Sequence, residues 1–117
     1  MSIPDEKLRK VLFELQNRLV EDVRKLDSVK TQIQMKERDK RLAELTKREL
    51  SALDKDTRTY KSVGKAFFKT DLSFLMTELD TRVTKAETDL KTLDKTKQHL
   101  EKNINESQNA LREITRV

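Results

Sequence analysis

The residue types that carry enzyme chemistry are scarce in this chain. His99 is its only histidine and it has no cysteine, so a thiolate nucleophile, a disulfide and a His/Cys metal cluster are all excluded. Gly64 is the only glycine and Pro4 the only proline. A Gly-rich phosphate cradle therefore cannot be built, and no nucleotide or other cofactor is expected. Carboxylates are abundant, but nothing in the pattern gathers them into a cleft where general acid–base chemistry has a setting. The expectation is a protein with no catalytic, cofactor-binding or metal-binding residues. What remains is the chemistry of surfaces. The aromatics are few, yet Tyr60, Phe67 and Phe68 crowd into one stretch. Such groups bind other proteins.

The elements that position these residues follow from the apolar pattern. Over 117 residues, 34% are apolar, 4% aromatic and 40% charged. A compact globule usually carries an apolar share nearer ~45%. The chain must therefore be thin, or completed by partners. From Leu72 onward, strict heptads place Leu72, Met76, Leu79, Val83, Ala86, Leu90, Leu93, Lys97, Leu100, Ile104, Ser107, Leu111 and Ile114 in core slots. Eleven of these 13 are apolar, where composition alone would give four or five. A stripe repeating every ~3.5 residues is a coiled-coil seam. Thr70 or Asp71 can cap its start.

The first half repeats the pattern at Leu8, Leu12, Leu15, Leu19, Asp22, Leu26, Val29 and Ile33. Ser2 is an N-cap candidate, with Pro4 in the first turn and Asp5 and Glu6 facing the helix dipole. After Ile33 the stripe is expected to slip, because Lys36 to Arg41 offers no apolar slot and Leu42 and Leu45 lie on a different face. Thr46 to Glu49 matches a capping box, which predicts a separate short helix over 46–54. Residues 57–69 hold the β-branched and aromatic residues, and predict two short strands with a turn around Val63-Gly64. The predicted order is helix 1 over 1–45, a short helix over 46–54, a hairpin over 57–69 and helix 2 over 71–117, in one domain. The fold class is mainly α: two long helices in an antiparallel coiled coil, joined by a short helix and one β-hairpin.

Helices of roughly 40 residues are about 60 Å long at ~1.5 Å rise per residue. Joined by a short linker, they are expected to fold back seam against seam, with both termini at one tip. A two-stranded sheet alone is marginal in water, and adjacent Phe67 and Phe68 must point to opposite faces. The hairpin is therefore expected to pair with other chains through Tyr60, Val63, Gly64, Ala66, Phe67 and Phe68. At the tip, apolar groups become available wherever the coiled coil frays. Candidates are Ile3, Leu8, Val11, Leu12, Phe13, Leu111, Ile114 and Val117. Leu8, Leu12, Leu111 and Ile114 also serve the seam, whereas Val11 and Phe13 lie off it. Asp22 and Lys97 occupy core slots and are candidates for a cross-helix contact; His99 is expected to face solvent.

The formal charge is +5, and all of the surplus lies between Lys36 and Lys69, which hold 11 basic and 6 acidic residues; the rest holds 15 of each. This is not a basic nucleic-acid-binding tail. A solvated surface is the preferred reading over a nucleic-acid site. The first residues lack an apolar signal core, and no run approaches the ~20 apolar residues of a membrane span. A soluble, cytoplasmic protein is expected.

Two heptad helices around a central hairpin resemble the β-class subunits of prefoldin. Leu42-Ala43-Glu44-Leu45-Thr46 with Glu49-Leu50 is similar to the end of that family's first helix. Tyr60 to Phe68 is similar to its hairpin, whose pattern includes V/C-G-K/R-x-F; here it reads Val63-Gly64-Lys65-Ala66-Phe67. Phe68-Lys69 departs from the two aliphatic residues common there. The resemblance implies a heterohexamer of two α-class and four β-class subunits, hairpins forming a body and six coiled coils projecting from it. It implies ATP-independent capture of non-native actin and tubulin between the tips, and transfer to the cytosolic group II chaperonin. The alternatives are an adaptor coiled coil with one defined partner and a nucleic-acid binder using the basic middle.

Overall fold

A computed structural model describes residues 5–115; Ser2, Ile3, Pro4 and Val117 of the sequence reading lie outside them. The elements are α1 (Asp5–Ser51), β1 (Tyr60–Val63), β2 (Ala66–Lys69) and α2 (Leu72–Thr115). Two long helices and an antiparallel hairpin match the expected mainly helical class. The described chain forms two compact units. One contains residues 5–33 with 92–115, the other residues 34–91.

In the first unit, every seam residue from Leu8 to Ile33 is buried or half-buried, as are Leu93, Lys97, Leu100, Ile104, Ser107, Leu111 and Ile114. Asp22 and Ser107 are both buried in core slots and line one groove with Leu15, Arg18, Asn103, Glu106 and Ala110. The Asp22–Lys97 contact does not form. Lys97 instead reaches Glu101 one turn along its own helix, at 3.9 Å. Asp22 thus shares its groove with Ser107 and Asn103, and Lys97 meets a carboxylate.

The second unit corrects the reading of the chain's middle. α1 runs unbroken to Ser51, so the separate short helix over 46–54 does not exist. The Thr46 hydroxyl donates to the Leu42 carbonyl at 2.8 Å, one turn back, and so is engaged inside a continuing helix. Nor does the stripe slip. The four-and-three spacing continues through Lys36, Lys40, Ala43, Lys47 and Leu50, all buried or half-buried. Leu42 and Leu45 are exposed. Three seam slots are lysines because carboxylates of α2 meet them: Lys36–Asp89 at 3.1 Å, Lys40–Glu87 at 3.5 Å, and Lys47–Asp80. Long lysine stems cover apolar surface while the ammonium stays at the rim. These partners run in opposite chain order, so the helices are antiparallel here. Ala43 and Ala86 are both buried.

α1 ends without glycine or proline. Its last turn tightens as the Ala52 and Leu53 amides donate to the Glu49 and Leu50 carbonyls, and the Ser51 hydroxyl donates to the Arg48 carbonyl at 2.7 Å. α2 is rich in threonine, a weak helix former. The hydroxyls of Thr77, Thr81, Thr96 and Thr115 donate to carbonyls one turn earlier, which satisfies them inside the helix. Asp71 precedes the first turn, and its carbonyl accepts the Leu75 amide at 3.1 Å. Thr70 does not cap; its hydroxyl donates to the Phe68 carbonyl at 3.1 Å.

Candidate interaction site

The hairpin pairs Tyr60 with Lys69, Lys61 with Phe68, Ser62 with Phe67 and Val63 with Ala66. The two turn residues are therefore Gly64 and Lys65, one position later than expected. Gly64 has φ +62°, and no other described residue has positive φ. Positive φ confined to the first turn position is the type II′ pattern, whose twist matches that of the strands. Beyond the strands, the Thr70 amide donates to the Thr59 carbonyl at 2.9 Å, and the Thr59 hydroxyl donates to the Thr70 carbonyl. These bonds close the base of the hairpin.

Register fixes what each face presents. Tyr60, Ser62, Phe67 and Lys69 share one face; Lys61, Val63, Ala66 and Phe68 share the other. The second face approaches α2, because the Lys61 ammonium sits 2.5 Å from a Glu78 carboxylate oxygen. That hydrogen bond, helped by the Lys61 and Arg82 charges, holds the Glu78 carboxyl below its ordinary value despite the opposing effect of desolvation. Even so, neither face is covered. Phe67 is 72% exposed and Phe68 57%, and Tyr60 and Val63 are exposed as well. Beside the hairpin base, Tyr60, Leu50, Leu75 and Leu79 contribute to an open apolar hollow of about 310 Å³.

The first unit offers a second set of apolar groups. Phe13 is 65% exposed and Val11 is exposed, as are Val20 and Val23 further along α1. Leu8, Leu12, Leu111 and Ile114 are half-buried in the seam. Val20 follows Phe13 by seven residues, so both lie on one outer line of the helix. The sequence reading missed Val20 and Val23; their seven- and three-residue offsets from Phe13 and Val20 were the available signal. It also missed exposed Met35, an apolar residue between polar ones, and exposed Phe74, which stands beside Leu75 at the start of α2. His99 lies on an exposed face, 3.3 Å from the Asn103 amide.

With this geometry in view, the family model described as Prefoldin subunit matches residues 13–116. The chain belongs to the prefoldin subunit family. Prefoldin subunit 1 of Arabidopsis thaliana is 36% identical over 110 residues, covering 94% of this chain and 86% of the plant protein. Probable prefoldin subunit 1 of Dictyostelium discoideum is 33% identical over 108 residues, covering 92% and 94%. Human prefoldin subunit 1 is 29% identical over 110 residues, covering 94% and 90%. Among solved structures, the prefoldin beta subunit from Thermococcus strain KS-1 matches with a TM-score of 0.83 over 99% of this chain and 97% of that one. At 22% identity this is a likeness of fold, and the fold is the prefoldin β type. No described helix is long and apolar enough to cross a membrane.

Proposed function

We propose that this chain is a β-class subunit of a heterohexameric co-chaperone that acts in the cytoplasm without ATP and without catalysis. Its partners are other α- and β-class prefoldin subunits, joined through the hairpin residues Tyr60, Val63, Gly64, Ala66, Phe67 and Phe68. Its clients are unfolded proteins, actin and tubulin among them, which it passes to the group II chaperonin. The observation that carries this reading is the exposure of aromatic side chains on both faces of a two-stranded sheet. Such a sheet cannot bury its own apolar surface or satisfy its own edges, so other chains must cover it. An adaptor coiled coil needs only a turn at this place.

Client capture falls to Val11 and Phe13, which are exposed and outside the seam, and to Leu8, Leu12, Leu111 and Ile114 where the helix ends open. Exposed apolar groups bind unfolded chains with little sequence selectivity. Because Val11 and Phe13 pack into no core, Val11→Asp combined with Phe13→Asp should leave helicity and co-assembly unchanged. The assay is suppression of aggregation of denatured actin by the assembled complex. Weaker suppression is expected; undiminished suppression would remove these residues from the client site.

A further inference from the structure

The hairpin is not only apolar; it is uniformly cationic. Residues 57–70 include Arg58, Lys61, Lys65 and Lys69 and not one carboxylate. Glu78 of α2 neutralises Lys61. Among the described residues no ion pair joins Arg58, Lys65 or Lys69 to any acid, including Asp54, Asp56 and Asp71, which flank the sheet in sequence. Lys65 lies in the turn, and Lys69 stands directly opposite Tyr60 on the face that carries Phe67. The aromatic plate thus has a positive rim that the chain leaves uncompensated.

The geometry points to a partner of matching chemistry: a sheet edge or face of a different subunit that offers apolar cover to Tyr60 and Phe67 and carboxylates to Lys65, Lys69 and Arg58. This rests on the proposed function and adds the chemistry that selects the partner. A second copy of this chain would set the same three cations against each other, and like charges brought together at an interface select against that pairing. The rim therefore disfavours self-assembly through the hairpin while steering it toward an acidic surface. A nucleic acid would meet the cations too, but exposed strand edges and a side chain such as Val63 fit a protein sheet better.

The test is competition inside the protein's own cells. Full-length wild-type chain and the variant Lys65→Glu with Lys69→Glu are expressed together with distinguishable mass tags. Multi-chain complexes are purified, and the ratio of the two forms is read by mass spectrometry. Both lysines are exposed, and circular dichroism of the isolated variant checks that helicity is kept. Steering by complementary charge accelerates association by about 10-fold or more, so wild type should be enriched by about tenfold. The charge-preserving variant Lys65→Arg with Lys69→Arg should enter as wild type does. A carbodiimide that joins amines to touching carboxylates should couple Lys65 or Lys69 to an Asp or Glu of a different chain.

Equal entry of the Glu variant overturns this inference, as does exclusion of the Arg variant, since shape rather than charge would then decide. A crosslink to a second copy, or nucleic acid held at the hairpin, overturns it as well. If wild type itself enters no multi-chain complex, the proposed function fails before the question of charge arises.

Discussion

Replacing Gly64 with alanine isolates the hairpin's dependence on one backbone angle. Gly64 sits at φ +62°, and a Cβ built there meets nothing within 4 Å. Steric collision is thus absent, and the cost is conformational alone. For an L-residue a sparsely populated positive-φ conformation such as this costs about 1–3 kcal/mol. The unfolded chain loses freedom on gaining a side chain, which offsets about 0.4–1 kcal/mol. Strain wins, and the net loss is about 1 kcal/mol, roughly a fivefold shift in the closed–open equilibrium of the hairpin. A two-stranded sheet has little stability in reserve, so that shift is visible. The readout is hydrogen exchange of the full-length chain. Protection at the strand amides and at the Thr70 amide, which donates to Thr59, should fall about fivefold, with the middle of α2 unchanged. Gly64→Asn should lose less, because asparagine tolerates positive φ. Undiminished protection would refute the turn argument, and losses spreading through α2 would refute its locality.

Two further perturbations address the remaining polar features. The Glu78 carboxyl is held low chiefly by its hydrogen bond to Lys61. Its folded value lies below the unfolded one, so the pair's contribution is complete above the ordinary glutamate range near ~4.3 and is lost as pH falls through the depressed value. Hydrogen-exchange protection of β1 should decline on acidification through that window, and Lys61→Met should remove the decline. Asp22 occupies a buried seam slot beside Ser107, so Asp22→Leu should raise the unfolding free energy by about 1 kcal/mol, read as a higher urea midpoint at constant slope; a lower midpoint would show that the carboxylate is needed there.

The sequence showed some of this architecture well and hid the rest for definable reasons. The seam of α2 was legible because Leu, Val and Ile fill its slots almost without interruption. The hairpin was legible because scarce aromatics surround the single glycine, although its turn lies at Gly64-Lys65 rather than Val63-Gly64. The middle of α1 was misread. Its seam continues through Lys36, Lys40 and Lys47, and lysine in a core slot looks like an interruption until Asp89, Glu87 and Asp80 are seen opposite. Leu42 and Leu45 drew attention to the wrong face for the same reason. The capping box at Thr46 and Glu49 was a true local signal overruled by the helix around it, since the Thr46 hydroxyl already bonds to Leu42. Near the start of α1, Val11 and Phe13 stood out as apolar residues off the strict heptad, and both are exposed. Val20 and Val23 obey the same logic.

The central claim is that this hairpin is half of an interface and that the chain works as one member of a set of different small subunits. Native mass spectrometry of the tagged full-length protein, purified gently from its own cells, tests it most directly. The account predicts a complex of six small chains that contains this one, and loss of that complex on Phe67→Asp. A monomer, a homodimer or a pairing with one large partner would contradict it.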